Sequence, residues 1–340
     1  MNITVRENLI MRNRLADDAP EIYQVIDDNR AYLRQWLPWV DGTDSPAVIQ
    51  NVLAKWDRQL EQGTDIVLGI FMGGKYIGNI GLHDIDKENK NCIIGYWLAE
   101  KYQGQGIITD CVRALINYAF EVLELNKINI HCALDNCKSR AIPKRLGFHE
   151  SGILKDGENL YGITHDMVIY CLERDEWEAQ KEIEYYNTLP CAFNDFIELP
   201  ELSDGEICLV CTAKRPAIPE KKFVPAYDFA VCKGGEKIGE INLRIGYTDG
   251  LYYGGQIGYG IDEKYRGNGY AGRACRLIVP VAKAHCMTKL LITNNQTNDA
   301  SRRVCEKLGA RLVRVARLPE WHDLYKEGRR FSNIFEWSVE

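Results

Sequence analysis

The chain has 340 residues, a length that predicts two or three domains, each large enough for its own hydrophobic core. The composition, with 46% hydrophobic and 26% charged residues, is typical of a soluble globular protein, and the formal net charge of −6 gives no support to a nucleic-acid or anionic-membrane partner. No apolar run approaches the roughly 20 residues needed to span a bilayer, and the N-terminal residues lack the apolar region of a signal peptide. We therefore expect a cytoplasmic protein.

The first half of the chain alternates β-type runs with segments of helical spacing. A strand within residues 3–14 is followed by a helix signal at residues 17–20, where acidic residues precede a proline. A second helix begins at Ser45-Pro46 and extends to about Gln62. Further strands are predicted at residues 66–72, 76–84, 92–98, 127–133, 148–154 and 165–172, with helices at 109–123 and 139–146.

The second half repeats this pattern after a highly charged segment, residues 173–186, which predicts an exposed helical connector. One part is missing from the repeat. Only residues 214–226, with three prolines, separate the first two strands of the second half, so the two early helices of the first half cannot form there. The predicted organisation is a first domain at residues 1–175, a connector at 176–190 and a second domain at 191–340.

A polar, glycine-rich signature occurs in both halves, each time where a strand gives way to a helix. The first copy contains Gln103-Gly-Gln-Gly106 and the second contains Arg266-Gly-Asn-Gly269. Two further pairs of segments occur in the same order with nearly the same offset, namely 73–82 with 234–243 and 136–148 with 298–310. Chance similarity does not produce such an ordered set, so the sequence predicts duplication of a whole domain.

Each polar turn leaves free backbone N–H groups at the positive end of a helix, where phosphate oxygens bind. A plain turn that uses glycine for positive φ is the structural alternative. The second copy also spells Gly267-x-Gly269-x-x-Gly272, but a dinucleotide site needs an acidic residue about 20 positions later, and residues 273–298 contain none. A Walker A loop is excluded because no Lys-Ser/Thr pair follows the glycines.

The twelve cysteines lie mostly in apolar segments, which is typical of buried thiols in a reducing compartment. The pair Cys208-x-x-Cys211 falls in a β-type run, where its two sulfurs point to opposite faces of the sheet. No metal site is predicted.

The loop led by Gln103 or Arg266 resembles the Arg/Gln-x-x-Gly-x-Gly/Ala signature of GCN5-related N-acetyltransferases (GNAT). The second copy fits fully, whereas the first has Ile108 where the family has a small residue, which is expected to crowd the loop. Residues 1–175 also resemble the RimL/RimJ branch, which acetylates ribosomal-protein N-termini. That likeness rests on Trp36-Leu-Pro-Trp39, on Asn136-x-x-Ser139 and on Leu146-Gly-Phe148.

The resemblance implies an α/β (α+β) fold with two tandem GNAT domains, each a mixed, mainly antiparallel sheet flanked by helices. In this family the loop amides bind the pyrophosphate of acetyl-CoA, and the preceding strand splays open for the pantetheine arm. The cofactor-binding residues implied here are Leu98, Gln103, Gly104, Gln105, Gly106, Ile107, Ile108, Thr109, Asn136, Ile261, Asp262, Arg266, Gly267, Asn268, Gly269, Tyr270, Ala271, Gly272 and Asn298.

The same resemblance assigns chemistry to a few side chains. Ser139, with Ser301 as its counterpart, is expected to donate a proton to the CoA sulfur, although capping of the following helix is the alternative for this segment. His83 and Asp84, at the end of the strand facing the second substrate, are the candidate bases, with an ordinary polar strand end as the alternative. Trp36 and Trp39 are candidate acceptor contacts, with packing in the core as the alternative. Strand amides near the polar loops are expected to polarise the thioester carbonyl.

The implied reaction is direct transfer of acetyl from acetyl-CoA to a primary amine, either a protein N-terminus or a small molecule. An α-amino group, with a pKa near 8, is partly neutral at pH 7 and needs less help from a base than lysine does. Two alternatives stay open, namely a non-catalytic acetyl-CoA sensor or scaffold in one or both domains, and an enzyme acting on aminoglycosides or polyamines. The face left bare by the missing helices is expected to pack on the first domain or on a second subunit, as in a homodimer.

Overall fold

The computed structural model describes residues 1–339, which divide into a first unit, Met1–Arg174, and a second unit that begins at Asp175. None of the described helices is both long enough and apolar enough to span a bilayer. Each unit combines β-sheet with flanking helices, so the predicted α/β class is confirmed. The sheet of the first unit is mixed as predicted, whereas the described strand pairs of the second unit are all antiparallel.

The first unit contains one eight-stranded sheet and five helices. Its strands are β1 (Asn2–Arg6), β2 (Leu9–Arg12), β3 (Ile66–Met72), β4 (Lys75–Asp86), β5 (Asn91–Leu98), β6 (Lys127–Ala133), β7 (His149–Leu160) and β8 (Ile163–Glu173). Its helices are α1 (Ala19–Asp28), α2 (Arg30–Leu33), α3 (Pro46–Gln62), α4 (Ile107–Glu121) and α5 (Cys137–Arg145). The strand order is β1-β2-β3-β4-β5-β6-β8-β7, and all neighbours are antiparallel except β5 and β6.

Local sequence explains where these helices begin and end. The helix α3 has proline in its first turn, where the missing N–H costs nothing, and ends at Gly63, which adopts a left-handed φ of 71°. The helix α4 buries a continuous stripe that includes Val112, Leu115 and Ala119. This stripe packs α4 on one face of the sheet, while α1 and α3 cover the other.

The second unit has two smaller sheets. The helix α6 (Arg174–Asn187) leads into its strands, which are β9 (Cys208–Arg215), β10 (Ala226–Lys233), β11 (Glu236–Arg244), β12 (Ile257–Ile261), β13 (Lys289–Asn294), β14 (Arg311–Arg317) and β15 (Phe331–Ser338). Its other helices are α7 (Asp249–Gly254), α8 (Tyr270–Leu277), α9 (Val279–Ala284), α10 (Asp299–Leu308) and α11 (Asp323–Lys326). The strand orders are β12-β11-β10-β9 and β13-β15-β14.

The early helices of the first unit have no counterpart in the connection from β9 to β10, which carries one short 3-10 turn at Pro219–Lys221. The charged segment forms the helix that was predicted, but it is not exposed on all sides. It forms α6, and one side of that helix is buried, with Ala179 and Tyr186 in an apolar cluster of the second unit. Charged residues on the other side of α6 concealed this apolar stripe in the sequence.

The sheet of each unit opens at the strand that precedes the polar loop. In the first unit, β5 and β6 pair in parallel over Asn91–Ile93 and then diverge. In the second unit, β12 and β13 belong to separate sheets, and Gln256 joins them at one end through its backbone and side chain to Leu291. Each gap leaves backbone groups of one strand available to an extended ligand.

Candidate active site

The polar loop of the first unit connects β5 to α4 through a 3-10 turn at Glu100–Tyr102. Gly104 and Gly106 adopt φ of 73° and 74°, and a Cβ on either glycine would meet no atom within 4 Å. The glycines are therefore required by their left-handed backbone rather than by crowding. The loop is open to solvent at the N-terminus of α4. The crowding expected from Ile108 does not close it, since Gly104, Gln105 and Gly106 are exposed while Ile108 is buried.

The second polar loop has the same backbone geometry. Gly267 and Gly269 adopt φ of 83° and 77°, again with open space where a Cβ would lie, and Gly269 is the N-cap of α8. The Arg266 side chain folds back and donates from Nε to the Ile261 carbonyl at 3.0 Å, while Asn268 donates to the Tyr265 carbonyl at 3.1 Å. The two predicted loops are thus the same structural element in the described chain.

A cavity of about 900 Å³ adjoins the first loop, a volume suited to a cofactor-sized ligand. Its walls come from the loop, the end of β5, and the helices α2, α4 and α5. It brings together ten of the predicted residues, namely Trp36, Leu98, Gln103, Gly104, Gly106, Ile107, Ile108, Thr109, Asn136 and Ser139. Gln105, His83 and Trp39 lie outside its lining.

The charge of the cavity wall is opposite to that of the whole chain. Arg113, Lys138 and Arg145 line it, and Arg145 donates to the Thr109 hydroxyl at 2.8 Å, which ties α5 to the first turn of α4. The sequence analysis did not single out these cations, because the net charge of the chain hides them. Together with the free N–H groups of α4, they make the cavity wall suitable for phosphate oxygens.

A pair of hydroxyl groups lies where α5 meets the open end of β5. The Asn136 side chain caps α5 by accepting from the Ser139 N–H at 3.1 Å. The Ser139 hydroxyl donates to the Tyr96 oxygen at 3.2 Å, and the Tyr96 hydroxyl also reaches the Ser139 carbonyl at 3.2 Å. Cys132 Sγ lies 3.2 Å from Ser139 Oγ. Asparagine rather than serine performs the capping, so the hydroxyl of Ser139 faces Tyr96 and the cavity.

Burial affects the protonation of the Tyr96 phenol. Desolvation is the main cause that raises the pKa of Tyr96, so the phenol stays neutral at ordinary pH. The sequence analysis missed Tyr96, although the repeated Gly-Tyr step in the two polar signatures, at Tyr96 and Tyr259, could have revealed it.

The second unit repeats the hydroxyl pair. Asn298 caps α10 by accepting from the Ser301 N–H at 3.0 Å, and the Ser301 hydroxyl lies 2.9 Å from the Tyr259 hydroxyl. Asn294 replaces the cysteine of the first unit and donates to Ser301 Oγ at 3.4 Å. The half of the site that surrounds the polar loop is therefore present twice.

Comparison with known proteins decides the family. An acetyltransferase (GNAT) domain model matches residues 8–149 and 210–311, which is more than half of the chain. The chain belongs to the GNAT acetyltransferase family. The two GNAT matches include both polar loops and both hydroxyl pairs, so the predicted duplication and family are confirmed.

Known GNAT proteins match about half of the chain each. The "Putative ribosomal N-acetyltransferase YdaF" of Bacillus subtilis (strain 168) is 39% identical over 178 residues, which cover 52% of this chain and 97% of that protein. The ribosomal-protein-serine acetyltransferase of Escherichia coli (strain K12) is 32% identical over 168 residues, 49% of this chain and 94% of that protein. RimL, a ribosomal L7/L12 alpha-N-protein acetyltransferase solved with coenzyme A, is 29% identical with a TM-score of 0.50, over 52% of this chain and 99% of that one. The chain is an acyltransferase whose cosubstrate is acetyl-CoA.

The face of the first sheet that α1 and α3 cover carries further titratable groups. His83 lies there against Gly81 and Gly95, and its Nδ1 is 3.1 Å from Asp65, which also accepts from Gln59 at 2.9 Å. The contact with Asp65 holds the His83 imidazole in one orientation. The predicted base is thus fixed on the expected face but outside the lining of the cavity.

A second titratable group on this face was missed by the sequence analysis. Glu158 pairs with His165 across the β7–β8 hairpin, and burial raises the pKa of the Glu158 carboxyl. The imidazole of His165 lies edge-on to Trp36, with ring centroids 6.4 Å apart, and its Nδ1 is 3.4 Å from Asp135. Trp36 therefore connects these groups to the cavity. Trp39, the other predicted acceptor contact, instead packs its ring 6.0 Å from that of Trp97.

Proposed function

We propose that the first unit transfers the acetyl group of acetyl-CoA directly to the α-amino group of a protein N-terminus. The observation that carries this proposal is the Tyr96–Ser139 hydroxyl pair, held by the Asn136 cap inside a cavity that also contains the polar loop. The names of related GNAT proteins support the acceptor class, since two of them act on ribosomal proteins by name.

The cavity supplies a place for each part of the cosubstrate. Backbone amides of the loop that ends at Gly106, together with Arg113, Lys138 and Arg145, would hold the diphosphate. The edge of β5 that diverges from β6 would pair with the amides of the pantetheine arm. An N–H near Leu98 would then polarise the thioester carbonyl.

The transfer step needs one proton removed and one supplied. The neutral amine attacks the thioester carbon, and the C–S bond breaks as the amide C–N bond forms. The Ser139 hydroxyl turns from the Tyr96 oxygen and gives its proton to the departing thiolate. The Tyr96 hydroxyl, which donates to the Ser139 carbonyl in the structure, then turns and returns a proton to Ser139 Oγ. The surplus proton of the amine passes, through water, to the Glu158 carboxylate. We favour Glu158 over His83 because His165 and Trp36 connect Glu158 to the cavity.

Release of the CoA thiol by the full chain tests the proposal. Three acceptors are compared. The first is a peptide with a free N-terminus, the second is the same peptide with its N-terminus acetylated and an internal lysine added, and the third is spermidine. We expect turnover with the first peptide and at least about 100-fold less with the second, because lysine is almost wholly charged at pH 7. Acetyl-CoA binding without thiol release on any amine would contradict transfer and support the sensor alternative.

Side-chain variants then test the assigned roles. Ser139→Ala is expected to lower kcat by about 100-fold with little change in KM for acetyl-CoA, which is the size of a general-acid contribution. The exposed Ser151, outside the cavity, provides the control Ser151→Ala. Glu158→Gln is expected to lower kcat more than His83→Asn does. Equal kcat values for Ser139→Ala and Ser151→Ala would refute the assigned donor.

A further inference from the structure

The duplicated units differ on the face of the sheet that receives the acceptor. The offsets between repeats align Trp97 with Gly260, His83 with Arg244, and His131 with Thr293. In each pair, a tryptophan or histidine of the first unit is replaced in the second unit by a residue of different chemistry, namely glycine, arginine or threonine. Arg244 is committed to the fold, since its Nη1 donates to the Gly255 carbonyl at 3.0 Å.

The helix α6 covers this face over the strands β13 and β15. Alternation along β13 places Leu290 and Ile292 in the core beneath α8 and α10, and it places Leu291 on the opposite face. There Leu291 and Ile334 form one cluster with Ala179 and Tyr186 of α6. The part of this face over β13 and β15, which corresponds to β6 and β8 of the first unit, is thus buried by a helix of the same unit.

Polar contacts fix α6 in this position. Arg314 on β14 donates to Glu178 at 2.8 Å and to Glu182 at 2.9 Å. The Tyr252 hydroxyl of α7 donates to the same Glu182, and the Tyr186 hydroxyl donates to Glu336 at 2.8 Å. An acceptor entering over β13 and β15 would have to displace the apolar cluster and leave several largely buried charges without partners.

We infer that the second unit binds a CoA thioester but does not pass on its acetyl group, because α6 covers the β13–β15 part of the acceptor side and the aligned acceptor-side residues are replaced. This inference rests on the proposed function of the first unit. The loop at Gly267–Gly269 and the Ser301–Tyr259 pair keep the half of the site that holds the cosubstrate. Acetyl-CoA or CoA then acts on this unit as a bound ligand that stabilises its fold by mass action.

The test uses the full chain and two matched variants at equivalent loop positions. Gln103→Glu with Gln105→Glu places carboxylates at the diphosphate site of the first unit, and Arg266→Glu with Asn268→Glu does the same in the second. Isothermal titration with CoA measures the number of sites, and thiol release with the free-N-terminus peptide measures turnover. We expect two CoA sites in the unmodified chain.

Each outcome separates the inference from the proposed function. The first-unit variant is expected to keep one CoA site and to lose turnover by at least about 100-fold. Combining the second-unit substitutions with it in one chain is expected to remove the remaining site. Turnover that survives in the first-unit variant and disappears with Ser301→Ala would overturn the inference. One CoA site in the unmodified chain would also overturn it. An unmodified chain without turnover on any amine would instead overturn the proposed function.

Discussion

Adding one methyl group at Gly78 is expected to disturb the strand that forms the open edge of the first site. A Cβ there would collide with the Trp97 carbonyl oxygen and lie 3.0 Å from the Leu98 Cα, about 0.5 Å inside the shortest favourable carbon contact. Both obstacles are backbone atoms, so β5 itself must move. Overpacking of this kind costs about 1–3 kcal/mol, which exceeds the ~0.4–1 kcal/mol that Gly→Ala gains by restricting the unfolded chain.

Gly78→Ala is therefore expected to lower the free energy of unfolding by about 2 kcal/mol, which for an m-value of ~2 kcal/mol/M moves the urea midpoint down by about 1 M. The KM for acetyl-CoA is expected to rise about 10-fold, since a 1 Å misplacement costs up to ~100-fold in a catalytic site. The control is Gly152→Ala, a strand glycine of the same unit whose Cβ would meet no atom within 4 Å. Equal urea midpoints and KM values for the two variants would refute the reasoning.

Three further changes test the caps, the base and the helix α6. Asn136→Ala and Asn298→Ala each remove a helix cap and should lower the unfolding free energy by about 1 kcal/mol in urea titrations; no loss would contradict the capping role. Because burial raises the pKa of Glu158, its carboxylate forms above the usual range near 4.3, so kcat/KM should fall on acidification with a midpoint above that value. Glu158→Gln should remove this acid limb, and a limb that persists in the variant would exclude Glu158. Arg314→Ala leaves two carboxylates of α6, Glu178 and Glu182, without this cation and should destabilise the chain by about 2 kcal/mol, measured in the same way; an unchanged midpoint would show that α6 is held by its apolar face alone.

The sequence predicted best those helices and strands whose ends are set by local chemistry. The strand at residues 66–72 and the helix at 46–62 have the predicted bounds, since alternation, a first-turn proline and Gly63 mark them without help from tertiary contacts. Prediction failed where a strand lacks apolar alternation. The strand β7 extends to Leu160, whereas the prediction ended it at residue 154. The prediction stopped short because the outer half of this strand is exposed and polar. Glu158, in that polar half, gains its role only through pairing with His165.

The two units share the half of the site around the polar loop and differ in the half on the acceptor side. The cosubstrate half is made largely of backbone, with two left-handed glycines, free helix amides and one asparagine cap, so most side chains around it can vary without loss. The side chains on the acceptor side differ between the units, as where Trp97 of the first unit aligns with Gly260 of the second. In the second unit, α6 buries the apolar positions Leu291 and Ile334, which stabilises the unit, and the same contact covers the part of the face that we infer to be closed to an acceptor.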